Sequence, residues 1–502
     1  MSRYLLALDQ GTSSSRALLF NENAEPVALH AVPFACQFPQ PGWVEQDANL
    51  LWQTQRDAVL GVLDKAKLSA RDILAIGITN QRETVMAWHR DSGMPLHNAI
   101  VWQCRRTSAF CEQLKAQGHE PDVRARTGLV IDPYFSASKM RWLLNEVPAV
   151  KAAAATGKLC FGTVDSWLVW QLSKGRAHLT DASNAARTQL YNIHSGDWDP
   201  VLLKLFGIPR ETLPSIVDCS GPLAMTDASI FGAAIPITGM AGDQQAALFG
   251  QACFTPGMSK NTYGTGCFML MNTGDQIVTS KHGLLSTVAW QLHGKRTYAL
   301  EGSVFVAGAL IQWLRDNLGL FEHASDVEAL ARQVPDNGGV YIVPAFTGLG
   351  APYWDADARG LICGLTRGTS KAHIARAALE AVAYQSADLL GAMEADVGMP
   401  LPELRIDGGM AVDDLLCQIQ ADVLQRKVTR PQVTESTARG AAMLAGLGAG
   451  LWQTTDQLAA LWQAERSFEP QQTAAAMAPR LAGWASAVRR ALPCKSDVSA
   501  GT

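Results

Sequence analysis

One sequence feature constrains this chain more than any other: Gly-Thr on a tight turn at the head of an apolar run occurs twice, half a chain apart. The first is an apolar run over residues 4–8, then Asp9-Gln10-Gly11-Thr12-Ser13-Ser14-Ser15, then a second apolar run over 16–20. Two strand-like runs around a turn of small hydroxylated residues predict a β-hairpin. The second is Tyr263-Gly264-Thr265-Gly266 followed by Cys267-Phe268-Met269-Leu270-Met271. Recurrence at that separation predicts a duplicated architecture, two similar bodies each with its own hairpin. A length of 502 residues agrees, since single hydrophobic cores stop growing well short of it.

The segments that follow each hairpin alternate in period. Residues 49–67, 305–318 and 373–393 carry apolar side chains at helical spacing, while 73–79, 341–344 and 404–407 are short apolar runs bounded by polar residues or glycine. This alternation predicts an α/β protein with mixed sheets flanked by helices. The boundary between halves is placed within 248–257, giving domains at 1–252 and 253–492, with 493–502 a Ser/Gly-rich frayed tail.

Composition removes several function classes. A formal net charge of −4 provides no basic footprint for nucleic acid or an anionic membrane surface. Ten scattered cysteines form no CxxC pair and no Cys/His cluster at zinc spacing, the pattern of reduced thiols rather than a disulfide framework. No signal-peptide core follows Met1, and the uncharged stretch from Gly440 is too short and too poor in Leu, Ile and Val to span a bilayer, so a cytoplasmic location is expected.

Three loops can carry chemistry. In the first hairpin, glycine exposes backbone N–H groups to phosphate oxygens, Thr12, Ser13 and Ser14 add hydroxyl donors, and Arg16 adds a positive charge. Asp9, at the strand end, is a candidate Mg²⁺ ligand. The second loop is ITGMAGDQQAALFG at 237–250, in which Gly239 and Gly242 permit a sharp strand-to-helix turn that places Asp243 at a helix start. Asp243 there reads either as a helix cap or as a carboxylate that accepts a hydroxyl proton during phosphoryl transfer. The third loop is DGGMAVDD at 407–414, whose glycines let a planar ring approach the backbone. Each loop alone has an ordinary structural explanation. Their order along the chain is what selects the phosphotransfer reading.

That order resembles the ATPase fold shared by actin, heat-shock 70 proteins, hexokinase and sugar kinases, in which two actin-like (ribonuclease H-like) domains close on a nucleotide. Within it the chain resembles the FGGY carbohydrate kinases, on YFSASKMRWLL at 134–144 and TGLGAPYWD at 347–355. ITNQRET at 78–84, NAIVWQ at 98–103, VIDPYF at 130–135, AGDQQ at 241–245 and NTYGTGCF at 261–268 are similar to the members that phosphorylate glycerol. The resemblance runs from residue 4 to about 468. It implies ATP and Mg²⁺ in an interdomain cleft, and a polyol pocket of Arg82, Glu83, Trp102, Tyr134, Asp243, Gln244 and Phe268. Asp243 is then the general base, with Asp9 and Asp243 toward the metal. Thr12, Ser13, Ser14, Arg16 and Thr265 face phosphates, and Gly308, Gln312, Gly409 and Asp413 face the nucleotide. Relatives assemble as homodimers or homotetramers, which sets the same expectation here.

Two rival readings remain open on the sequence. Pentulose kinases of the same family usually carry a Met-His-Gly pocket motif where this chain has NQRE at 80–83; a non-catalytic actin-like ATP-binding protein would not need the pocket at all. The chain also departs from the family pattern. Asp413 replaces a common Asn near the adenine. SIFGAAIP at 229–236 lacks the Lys and Arg with which some relatives bind fructose 1,6-bisphosphate, and PQQTAAAM at 470–477 lacks the acidic residue expected where a phosphotransferase-system regulator docks. Both regulatory contacts are expected to be weak or missing.

Overall fold

The computed structural model describes residues 3–355 and 357–493. The expected tail lies, from residue 494 on, outside the described residues.

The first sheet is built from β1 (Tyr4–Gln10), β2 (Ser14–Phe20), β3 (Pro26–Pro33), β4 (Ile73–Asn80), β5 (Ser220–Met225) and β6 (Pro236–Gly242), in the order β5-β6-β4-β1-β2-β3. The second contains β7 (Ser259–Tyr263), β8 (Cys267–Gly274), β9 (Leu285–Leu292), β10 (Lys295–Val304), β11 (Glu403–Gly408), β12 (Lys427–Pro431) and β13 (Ala464–Phe468), in the order β9-β10-β8-β7-β11-β12-β13. The two orders correspond strand for strand, except that the second sheet carries one further antiparallel strand, β9, outside β10. Each has an antiparallel three-strand meander (β1-β2-β3, β7-β8-β10), then two strands parallel to the first (β4 and β6, β11 and β12), then an antiparallel edge strand. The duplication expected from the two hairpins is therefore a duplication of the whole sheet.

Six helices matter for the site: α1 (Ala48–Ala66), α2 (Asp243–Gly250), α3 (Gly308–Asp316), α4 (Lys371–Val397), α5 (Asp414–Leu424) and α6 (Ser436–Gly448). The helical period at 305–318 begins three residues late, at Gly308, because 305–307 continue from β10 into the turn that carries the second hairpin. Among the described residues no helix is long and apolar enough to cross a membrane.

The bodies exchange helices at their junction. α2 leaves the first sheet and α6 follows the last parallel strand of the second, yet α6 packs on β6, β4 and β1 of the first sheet and against α2. Small residues permit it. A Cβ on Gly77 would lie 2.0 Å from the Ala441 carbonyl oxygen, and one on Gly440 would lie 1.8 Å from that of Ala246. Backbone meets backbone there, with Leu5, Ala7, Ala75, Ala241, Leu248 and Leu270 filling the shared core. A division of the chain at 252/253 therefore follows sequence order, while the packing crosses it.

Candidate active site

Strand register brings the loops together. In the first sheet, Gln10 pairs with Asn80 and Asn80 with Gly242, so the carboxyl ends of β1, β4 and β6 finish on one line. The chain beyond each of these residues supplies the first hairpin, Gln81-Arg82-Glu83 and Asp243 respectively. In the second sheet, Tyr263 pairs with Gly408, which sets the second hairpin beside the Gly408-Gly409 turn. Crevices at the carboxyl ends of parallel strands are the general binding position of open α/β sheets.

Asp243 is the first residue of α2, with Gly242 in the cap position, so it is not the helix cap its sequence context allowed. Its side chain is 31% exposed and lies 3.2 Å from Arg82 Nε. Burial raises its carboxyl to about 6; Arg82 opposes that shift and Glu83 adds to it. A carboxylate at that value is ionised near neutrality and still basic enough to accept a proton.

Arg82 and Glu83 do not form a surface ion pair, since both side chains are 2% exposed. Glu83 adopts a left-handed backbone, φ 61°, in the turn after β4. The Arg82 guanidinium grips Glu301 of β10 with both terminal nitrogens, Nη1 to Oε2 at 2.5 Å and Nη2 to Oε1 at 3.0 Å. Nη1 also donates to Gln245 Oε1 at 3.2 Å, and Nη2 to the Tyr134 hydroxyl at 3.4 Å. Arg187 completes the frame, donating from Nε to Glu83 Oε1 at 2.7 Å and from Nη2 to Glu301 Oε1 at 2.9 Å. Burial alone would raise the Glu301 carboxyl, yet Arg187 and Arg82 bring it down to about 2. Arg82 and Glu83 are thus largely committed to protein partners, and Glu301 and Arg187 are members of the site that the sequence reading did not include. A lone Glu in the apolar strand Ala299-Leu300-Glu301-Gly302 was the available signal.

The remaining pocket residues converge on this frame. The Trp102 and Tyr134 rings meet edge-on with centroids 5.6 Å apart. Trp102 is more than an apolar wall, because its indole N–H donates to Thr12 Oγ1 at 3.0 Å and so ties the pocket to the first hairpin. Gln244 and Phe268 are joined through a residue that was not anticipated, Lys260, whose ammonium donates to Gln244 Oε1 and to the Phe268 carbonyl.

On the phosphate side, the first hairpin closes through Gly11 N–H to the Ser14 carbonyl at 3.0 Å, leaving Ser13 exposed at the tip. Arg16 does not project freely toward that tip. It pairs with Asp9 across the β1–β2 ladder and reaches Glu435 at 2.8 Å. In the second hairpin, Thr265 is exposed and its carbonyl accepts from Ala307 and Ala309, which seats the tip on the start of α3. Gly308 opens that helix, and Gln312 lies on its exposed side. A Cβ on Gly409 would meet nothing within 4 Å, so a planar ring has an open approach to this turn. Asp413 is less available than expected. One of its oxygens caps α5 by accepting from Leu416 N–H at 2.8 Å, and burial together with nearby Glu328 pushes its carboxyl up to about 7.

Comparison with known proteins decides the family. The N-terminal domain model of the FGGY family of carbohydrate kinases matches residues 4–250, and the C-terminal domain model matches 259–449. The chain belongs to the FGGY family of carbohydrate kinases. Two curated FGGY relatives are a glycerol kinase from Deinococcus radiodurans, 54% identical with 99% of each chain covered, and a glycerol kinase from Aromatoleum aromaticum, 57% identical over 97% of this chain and 98% of its own. Among solved FGGY structures, the Plasmodium falciparum glycerol kinase with ADP superimposes with a TM-score of 0.91 at 34% identity, covering 98% of this chain and 99% of that one. The two-domain α/β fold expected from the sequence is the FGGY fold.

Proposed function

We propose that this chain transfers the γ-phosphoryl group of ATP to a terminal hydroxyl of glycerol, releasing sn-glycerol 3-phosphate and ADP. What carries the reading is the placement of Asp243: it stands at a strand–helix junction, its carboxyl raised by burial to about 6, touching an arginine that is itself fixed by carboxylates. Glycerol kinases alike over the full length of the chain support the substrate.

In this reading Asp243 accepts the hydroxyl proton as the oxygen attacks phosphorus in line, and the bond to the β-phosphate oxygen breaks as ADP departs. Arg82, Glu83 and Gln244 bind the polyol hydroxyls, while Trp102, Tyr134 and Phe268 exclude water from the carbon edge. Thr12, Ser13, Ser14, Thr265 and the hairpin amides stabilise charge on the phosphoryl oxygens. Arg16 acts from beside them through its pair with Asp9. Gly308, Gln312, Gly409 and the loop ending at Asp413 receive the nucleoside. Residues 1–252 thereby supply the base and all of the polyol pocket but Phe268, and 253–492 supply most of the nucleotide site.

Among the described residues no group of three or more His, Cys, Asp and Glu side chains could hold a metal by itself. Mg²⁺ in phosphoryl transfer takes one or two carboxylates and completes its shell with phosphate and water, so Asp9 and Asp243 are a fitting donor set. Bound there with ATP, it would neutralise charge on the β- and γ-phosphates. The deciding experiment measures ATP consumption with glycerol, dihydroxyacetone, xylulose, ribulose and erythritol. Glycerol should give the highest kcat/KM by a wide margin; a pentulose in first place would overturn the substrate while leaving phosphoryl transfer intact.

A further inference from the structure

Lys260 lies in β7, fully buried, and among the described residues no carboxylate is in hydrogen-bonding contact with it. Its three N–H groups are all used on neutral acceptors: Gln244 Oε1, Thr262 Oγ1 at 2.8 Å and the Phe268 carbonyl at 3.3 Å. Burial depresses the ammonium to about 8, against the pull of Asp407 and Asp243, so it is mostly charged at neutral pH. A buried cation without a bonded counter-charge is costly to keep. Its position shows what it does. Thr262 and Phe268 are register partners across the second hairpin, and Gln244 is the second residue of α2, directly after the candidate base. One ammonium therefore joins the two strands of the phosphate hairpin in one body to the catalytic helix of the other.

The chemistry of that bond is directional. A glutamine amide has one acceptor end and one donor end, and on its own it can present either. An ammonium donates and never accepts. With Oε1 held by Lys260, the NH₂ end of Gln244 is the one left over, and among the described residues no protein group accepts from it. We propose that Lys260 is a positioning residue of the polyol pocket, which locks the Gln244 amide so that this position presents donors to a substrate oxygen. The proposal rests on the glycerol reading above and adds the means by which one of its contacts is oriented.

The test is a double-mutant cycle in the full chain, with glycerol and Mg-ATP kinetics for wild type, Lys260→Met, Gln244→Ala and the pair. Lys260→Met should raise the KM for glycerol about tenfold, what one well-made hydrogen bond is worth, with the KM for ATP changed less than about twofold. It should add nothing in the Gln244→Ala background, and Lys260→Arg, which keeps the donors, should recover most of the loss. Gln244→Glu is the independent arm, since it preserves the bond to Lys260 but has no NH₂. It should bind glycerol as poorly as Gln244→Ala, and this result does not require a Lys260 variant to fold. Additive effects, a loss confined to kcat or to ATP, or wild-type glycerol binding by Gln244→Glu would each overturn the proposal. Failure of the glycerol reading is separately visible, because the wild-type enzyme would then prefer another substrate.

Discussion

Replacing Glu301 by Gln tests the electrostatic frame of the site with almost no change of shape. The side chain is fully buried and receives three hydrogen bonds from two guanidinium groups, two from Arg82 and one from Arg187. The Glu301→Gln amide would keep one acceptor oxygen and point an NH₂ group at an arginine N–H. The depression of this carboxyl from 4.5 to about 2 corresponds to about 3 kcal/mol of favourable interaction with its ionised form. Breaking a buried ion pair by removing one partner costs about 3–5 kcal/mol, the same range by an independent route. The measurement is the free energy of urea unfolding followed by far-UV circular dichroism, with the KM for glycerol measured alongside. Stability should fall by about 3 kcal/mol, and the glycerol KM should rise, because Arg82 loses the clamp that aims it at Asp243 and Tyr134. The sign with pH follows from a depressed carboxyl. The stabilisation is complete above about 4.5 and is lost as pH falls toward 2, so the wild type and the variant should converge in acid. A loss below about 1 kcal/mol, the worth of an exposed pair, would refute the argument.

Three further outcomes are expected. The kcat/KM for glycerol should be flat above neutrality and fall about tenfold per pH unit below about 6, where Asp243 protonates, and Asp243→Asn should lose nearly all turnover while calorimetry still detects ATP binding. Gly440→Ala should destabilise the protein by about 1–3 kcal/mol in a thermal or urea melt although Ala is the better helix former, because the new Cβ would lie 1.8 Å from a backbone oxygen; a stabilised variant would show that α2 and α6 can part freely. Fructose 1,6-bisphosphate should leave the rate unchanged at millimolar concentration, since residues 229–236 hold no Lys or Arg and the nearby Lys174 and Arg176 are both paired with Asp227; clear inhibition in the same assay would contradict this.

Much of the molecule is local in origin and was therefore legible before any fold was known. The two Gly-Thr hairpins, the Gly-Gly turn before α5 and the strand-to-helix turn before Asp243 are each specified within about ten residues, by glycine's tolerance of tight turns and by the switch from strand to helical period. Their order along the chain indicated a duplicated phosphotransferase body, and the resemblance picked out Arg82, Trp102, Tyr134 and Asp243, of which register brings Arg82 and Asp243 to one edge. What the tertiary structure alone decided is which charges those residues answer to. Glu301 is 219 positions from Arg82, Lys260 is 16 from Gln244 but in the other body, and Arg187 is 104 from Glu83. No local period or turn encodes such pairs. They exist because segments distant in sequence meet at the strand ends where the two bodies face each other, and because charges carried there must find hydrogen-bonding partners or be too costly to bury.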